Sequence, residues 1–331
     1  MNSKTSGYLA LFVAVALLPL LGVYPIFAMK VMCYALFACA FNLLIGFTGL
    51  LSFGHAAFLG TAAYAAGHAL KVWGFPPLVG IAFGTLMAGL AGLAFGLLAI
   101  RRSGIYFSMI TLALAQMLFF YFLQAPFTGG EDGLQSVPRG SLLGLNLEND
   151  TSMYYVVLAI FGGAFWLIYR TVHSPFGQVL TSIRENEARA TSLGYDTDRF
   201  KLLAFVLSAS LAGLAGATKT LVLGFATLTD AVWTTSGLVI LMTLVGGMGT
   251  MVGPIVGALL IIALENKIGD LGQWLAGVTG IEWFVGLGES VSLVTGLIFI
   301  LCVLAFRRGL VGEVGALWLR LRGPGKSASG H

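Results

Sequence analysis

His173–Lys201 reads HSPFGQVLTSIRENEARATSLGYDTDRFK and carries Arg184, Glu185, Glu187, Arg189, Asp196, Asp198, Arg199 and Lys201 in a chain where charge is scarce. A bilayer rejects so dense a run of ionised side chains. The segment therefore belongs at an aqueous face, between two apolar stretches. Ser174-Pro175 supplies an N-cap and a proline at the first helical position. Phe176, Val179, Leu180 and Ile183 then recur at three- and four-residue spacing, the mark of an amphipathic helix. Glu185 to Ala190 continue that helix and Leu193-Gly194 ends it, with glycine in its usual C-terminal place. A second helix starts at Asp196 or Thr197 and leads into the next span. Helices that lie on lipid headgroups are rich in Lys and Arg. This one mixes acids and bases evenly, so it reads as a docking surface for a protein; the alternative is a solvated loop against lipid.

Working outward, the chain is 331 residues long, 58% hydrophobic and 10% charged, with mean hydropathy +0.92. Soluble domains carry about 25% charged residues. Stretches such as 8–29, 31–51, 75–100, 104–125 and 291–306 have no charge, and roughly 20 residues suffice to cross the ~30 Å hydrocarbon layer. The chain is an all-α polytopic membrane protein with about 8–10 transmembrane helices, some short or broken. The expected order is 8–24, 31–50, a Gly/Ala-rich segment 53–70, 76–100, 104–125, a polar loop 126–152, 153–170, the charged segment, then 202–224. Two short passes follow, 235–246 and 251–264, or one re-entrant hairpin in their place; then come a second polar loop, 265–289, and a last span, 290–306. Residues 1–306 form the membrane domain, and 307–331 a basic tail expected to be disordered beyond about 322. The apolar N-terminal run continues to Met29 without a clean small-x-small cleavage site, so it reads as an uncleaved span. Segment 53–70 is short and polar for a lipid-facing helix and is expected to be buried among other helices or broken. Gly80, Gly84, Gly89, Gly92 and Gly96 mark a face that admits close helix approach.

With a cytoplasmic N-terminus, these passes put Lys4, Arg101, Arg102, Arg170, the basic residues of 184–201, and Arg307, Arg308, Arg320, Arg322 and Lys326 on one side, most of the 18 Lys and Arg. That is the positive-inside pattern, with both termini cytoplasmic. Acids such as Glu131, Asp132, Glu148, Asp150 and Asp230 fall outside, and Lys219 is left within a span. The formal charge of +4 gives no nucleic-acid signal, because the basic residues lie at membrane edges rather than on one soluble face.

Chemistry is thin. GLAGATKT at 213–220 lacks the glycine before Lys219 that a phosphate cradle needs. No HExxH, paired CxxC or GxSxG is present, and Cys33, Cys39 and Cys302 sit inside apolar stretches as expected free thiols. No catalytic group, metal site or cofactor is expected. His55 and His68 read as helix-interface histidines, with a metal or proton-relay role as the alternative. Ser52-x-x-His55 has no oxyanion device beside it. Gly46 to His55, GFTGLLSFGH, breaks the helix pattern at membrane depth, which is tolerated where the backbone is buried in protein or lines a water-filled cavity. It reads as a tight helix–helix turn or as a discontinuous segment beside a solute path. On the second reading Asn42, Thr48, Ser52 and His55 line that path. Gly246-Gly247-Met248-Gly249 with Gly253-Pro254 repeats the style later in the chain.

At this point a resemblance emerges. RENEARATSLGYDTDRFKLLAFVLSASLAGLAGA (184–217), FNLLIGFTGLLSFGHAAFLGTAAY (41–64), TGGEDGL (128–134) and LVGGMGTMVGPIVGA (244–258) resemble, in the right order, the branched-chain amino acid ABC importer permeases of the LivM type. Glu187-Ala188 followed by Gly194 is similar to a degenerate form of the loop by which such permeases meet their ATPases. The resemblance implies a type II-like importer fold in the bacterial inner membrane. It implies a second permease of the LivH type as heterodimer partner, two cytoplasmic ABC ATPases that bind the ATP, and an external substrate-binding protein docking on loops 126–152 and 265–289. Carried over residue by residue, Arg184, Glu185, Asn186, Glu187, Ala188, Ala190 and Gly194 would be the ATPase-coupling contacts. Urea and short-chain amide importers use similar permeases and stay open as an alternative. A stand-alone secondary transporter would need coupling charges inside the spans, and only Lys219 and the histidines qualify.

Overall fold

The computed structural model describes residues 12, 15–22, 24–142, 144–279, 296–297, 300 and 309–313. Most of the first expected span, nearly all of 290–306, Cys302 and the tail beyond 313 lie outside the described residues. The helices are α1 (Pro25–Phe47), α2 (His55–Lys71), α3 (Pro77–Ala99), α4 (Ile105–Gln124), α5 (Asp150–Val172), α6 (Pro175–Glu185), α7 (Glu187–Ser192), α8 (Thr197–Leu223), α9 (Trp233–Gly246) and α10 (Gly253–Thr279). A hairpin of β1 (Ser141–Leu142) and β2 (Leu145–Asn146) pairs Ser141 with Asn146. Among the described residues, α1, α3, α4, α5 and α8 are the 5 helices long and apolar enough to cross a membrane. The architecture is that of an all-α polytopic membrane protein.

Three boundaries differ from expectation. Pro25 opens α1 six residues before the expected start at 31, because proline's fixed φ and missing N–H suit the first helical position. The polar loop after α4 is partly ordered by the β1–β2 hairpin and by a bridge between Leu134 and Ala226; strands of two residues leave too little pattern to read. Finally, α10 continues to Thr279 through much of the expected loop 265–289. Charge there marks where the bilayer ends, but Glu and Lys are good helix formers and no proline intervenes.

The chain divides into two compact units, Met1–Val239 and Ile240–His331. In the first, α8 is central and packs against α1, α2 and α3, while α5 packs on α1. Small residues permit this. A Cβ added at Gly84 of α3 would lie 2.7 Å from the carbonyl oxygen of Ala62 in α2, and one at Gly216 of α8 would overlap the Leu59 carbonyl. The expected glycine face of α3 thus meets its neighbours, with Gly92 on Ala209 and Gly96 on Leu202. Between these contacts lie Phe58, Phe95, Phe107 and Phe205, with ring centroids 5.3 to 5.8 Å apart. Segment 53–70 is the continuous α2, and most of it is buried among these helices, as anticipated. Outside, Leu86, Leu90, Leu93 and Leu97 of α3 and Met117 and Phe120 of α4 are exposed. An apolar surface this continuous suits lipid rather than water.

Contacts between connecting segments sort to two ends of this unit. At one end Lys71 donates to the Gln135 carbonyl at 2.8 Å, Leu134 bridges Ala226, and Arg139 binds Asp150 and the Val222 carbonyl, each at 2.7 Å. At the other, Arg184 binds the Gly46 carbonyl, and Arg101 shares a small cavity with Asp196 and Arg199. Every one of these pairs joins segments that alternating passes assign to the same side. In the second unit the end of α9 and the start of α10 form a tight antiparallel hairpin: Cβ atoms added at Gly246 and Gly257 would overlap the carbonyls of Gly253 and Met242. Gly247 and Gly249, with φ of 123° and 76°, make the turn. At 14 residues α9 is about 21 Å long, shorter than the hydrocarbon layer.

Candidate functional site

The charged segment folds as three pieces rather than two. Ser174 caps α6 by accepting from the Gly177 N–H at 3.4 Å, with Pro175 at the first position as anticipated. The helix does not run on through 185–190. Asn186, at φ −158° and ψ 97°, breaks it and caps α7 by accepting from the Arg189 N–H at 3.0 Å. An Asn immediately before an acidic residue is an N-cap signature, and this was the legible clue. Gly194 follows with φ 91°, and Asp196 caps α8, accepting from the Arg199 N–H at 3.3 Å.

One face of the segment is glued to the protein. Leu180, Ile183 and Ala190 are buried, and Phe176 stacks on Phe200 with centroids 5.6 Å apart. The carboxylate of Glu187 pairs with Lys201, which is only 5% exposed, and accepts from Thr197 at 3.4 Å. Arg184 reaches the Gly46 carbonyl. Of the seven expected coupling residues, then, Ala190 packs internally, while Glu187 and Arg184 are held by internal partners. Arg184 is nonetheless exposed in part, as are Glu185, Asn186, Ala188 and Gly194. Beside them stand Leu193, 71% exposed, and Tyr195, 42% exposed. Both are large side chains left exposed beside charged neighbours.

Asn42, Thr48, Ser52 and His55 come together at the α1–α2 junction, all buried. None of the four lines the cavities described below. Thr48 Oγ donates to the Leu43 carbonyl at 3.3 Å, and the Ala56 N–H at the start of α2 is taken by Ser236 Oγ at 2.8 Å. The ring of His55 lies among Phe37, Phe41 and Phe58, with centroids 5.4 to 5.8 Å away. Ser208 Oγ donates its one proton to the Ala40 carbonyl at 2.5 Å and lies 3.1 Å from His55 Nε2. The hydrogen between them therefore belongs to Nε2, leaving Nδ1 bare. Nδ1 of His55 and Oγ of Ser52 have no hydrogen-bond partner among the described residues.

A buried ion pair escaped the sequence. Lys219 of α8 pairs with Asp230, whose side chain is 3% exposed, and lies 5.6 Å from the Tyr34 ring centroid. Asp230 had been assigned to an external loop; a turn over Leu228–Asp230, capped by Thr227, folds it inward. The two residues stand eleven positions apart, too far for a local rule to pair them.

Two cavities complete the picture. One of about 560 Å³ lies between α2, α3 and α4, lined by Tyr64, His68, Trp73, Phe83, Tyr121 and Phe127 among others. A smaller one of about 240 Å³ lies under the junction, between Gly49, Leu50 and Leu51 and the start of α4 at Gly104, Ile105, Phe107 and Ser108.

Residues 24–304 match the family model described as the permease component of the branched-chain amino acid transport system. The high-affinity branched-chain amino acid transport system permease protein LivM of Escherichia coli K12 is 27% identical over 272 residues, which is 73% of this chain and 63% of that protein. LivM of Salmonella typhimurium LT2 is 26% identical over 276 residues, 75% of this chain and 64% of that protein. A probable branched-chain amino acid transport permease protein LivH of Methanocaldococcus jannaschii is 30% identical over 144 residues, 42% of each chain. This chain spans under two thirds of the length of the LivM relatives it matches. The family match runs from the start of α1 through the junction, the charged segment and the glycine hairpin. On that match, the chain belongs to the branched-chain amino acid transport permease family, and its resemblance to the LivM type is borne out.

Proposed function

We propose that this chain is the permease subunit of an ATP-binding-cassette importer that admits branched-chain or related hydrophobic amino acids, with ATP hydrolysed on separate subunits. The observation that carries the proposal is the α6–α7 pair, a charged and capped surface held between two apolar spans in a transport permease family. In this reading the chain receives motion from the ATPases by contact. Glu185, Asn186, Ala188, Leu193 and Gly194 face outward for that contact, while Arg184, Glu187 and Ala190 seat the segment on the membrane helices. Two cytoplasmic ATPases, a LivH-type second permease and an external binding protein complete the assembly. It sits in the bacterial inner membrane, lipid around its apolar helices and both termini cytoplasmic. The end bearing the β1–β2 hairpin faces the binding protein. The solute route runs beside the α1–α2 junction, where Asn42, Thr48, Ser52 and His55 supply the polar groups.

The test is reconstitution of the purified membrane complex, with its co-eluting subunits identified and uptake of radiolabelled leucine measured with and without ATP. Leucine uptake that follows ATP hydrolysis supports the reading. Uptake that persists without the ATPases and collapses with an uncoupler overturns it in favour of a secondary transporter. Within the complex, Glu187→Arg sets a cation beside Lys201 and should drive α7 off α8. Uptake should fall by about tenfold or more, the scale of an ordinary coupling energy, with the chain still inserted in the membrane. Normal uptake and normal ATPase association in that variant would count against the coupling role of the segment.

A further inference from the structure

We propose that Arg184 is the positioning residue through which the charged segment acts on the membrane helices, rather than a contact to the partner ATPase. The proposal rests on the importer reading above and assigns one residue a place in it.

Arg184 stands in the last turn of α6 and, although partly open to solvent, donates through Nη1 to the Gly46 carbonyl at the C-terminus of α1. The last carbonyls of a helix lack intrahelical donors and carry the negative end of its dipole, so a guanidinium is the favoured cap there. The neighbouring carbonyls are already served: Leu43 by Thr48 Oγ at 3.3 Å, and Leu44 by the N–H groups of Thr48 and Leu50 at 3.1 and 3.3 Å. Gly46 is served by Arg184. The aliphatic stem of the same side chain lies on Gly49, where an added Cβ would sit 2.9 Å from Arg184 Cγ, and Gly49 has φ 79°. Glycine is needed at 49 both for the left-handed backbone and for the approach of Arg184.

What Arg184 holds is the non-helical junction between α1 and α2. The 48–54 junction has the 240 Å³ cavity on its α4 side and an unpartnered buried Ser52 Oγ. Across that cavity a single hydrogen bond, from Ser108 Oγ to the Leu51 carbonyl at 2.6 Å, ties it to α4. Displacing α6 by way of Arg184 therefore pulls on the junction beside that cavity. The junction leads directly into α2, buried at the centre of the helices.

The experiment compares wild type, Arg184→Ala and Arg184→Lys in the full complex, reading ATPase-subunit co-purification and leucine taken up per ATP hydrolysed. Arg184→Ala should keep the ATPase subunits bound while uptake per ATP falls about tenfold, with partial recovery in Arg184→Lys, which keeps the charge but not the forked reach. Loss of the ATPase subunits from Arg184→Ala would make Arg184 a docking contact and overturn the proposal. Unchanged uptake per ATP would also overturn it. Should Arg184→Ala fail to reach the membrane, Arg184→Lys decides: a fall in uptake per ATP supports the proposal and wild-type coupling overturns it. A wild-type complex that holds no ATPase at all overturns the importer reading itself.

Discussion

At the scale of single residues, the sharpest feature is the ion pair of Lys219 and Asp230, both almost fully buried. Two charges withdrawn from water cost several kcal/mol each, and mutual attraction offsets this only while both remain. Removing one partner strands the other. Asp230→Asn should therefore destabilise the protein by about 3–5 kcal/mol, read as a lowered melting temperature of the detergent-solubilised chain. The double variant Lys219→Met/Asp230→Leu removes both charges and should recover most of that loss. A double variant as unstable as the two singles combined would show that packing at this site, and not charge pairing, dominates. His55 teaches a complementary point. Its residue type alone says little of its surroundings, in which the ring packs among three phenylalanines and bonds Ser208.

At the scale of elements, the division of the charged segment into α6 and α7 carries the most consequence. A continuous helix over 175–192 would rotate the α7 charges out of register with those of α6, and Glu187 could not reach Lys201 from the same seat. Asn186 enforces the break by capping α7. Asn186→Ala should cost about 1 kcal/mol of local stability and favour an uninterrupted helix. The expected outcome is faster trypsin cleavage at Arg184 and Arg189 in solubilised protein, with weaker ATPase co-purification. An unchanged cleavage pattern would mean that burial of Ala190 and the Glu187–Lys201 pair hold the break without the cap. The amphipathic period of α6 and the caps at Ser174 and Asp196 were legible because each is a local rule. The break was masked because Glu, Ala and Arg on either side all favour helix.

At the scale of the whole molecule, the two ends of the first unit make a prediction about sidedness. In a chain whose 3 cysteines are replaced, cysteines placed at Gln135 and at Arg189 should react with a membrane-impermeant maleimide from opposite faces. Gln135 should label on intact spheroplasts and Arg189 only after lysis; labelling of both from one face would refute the alternation of passes. The sequence by itself determined the class, the approximate place of the long apolar helices and the family, because hydropathy and helix caps act over a few residues and a bilayer imposes one length on every crossing. It did not reveal that Arg184 caps α1 across 138 positions or that Asp230 folds inward to Lys219. Those are choices among partners distant in the chain. Only the packed arrangement makes them, because each charge takes whichever counter-group the close approach of glycine-lined helices brings within its reach.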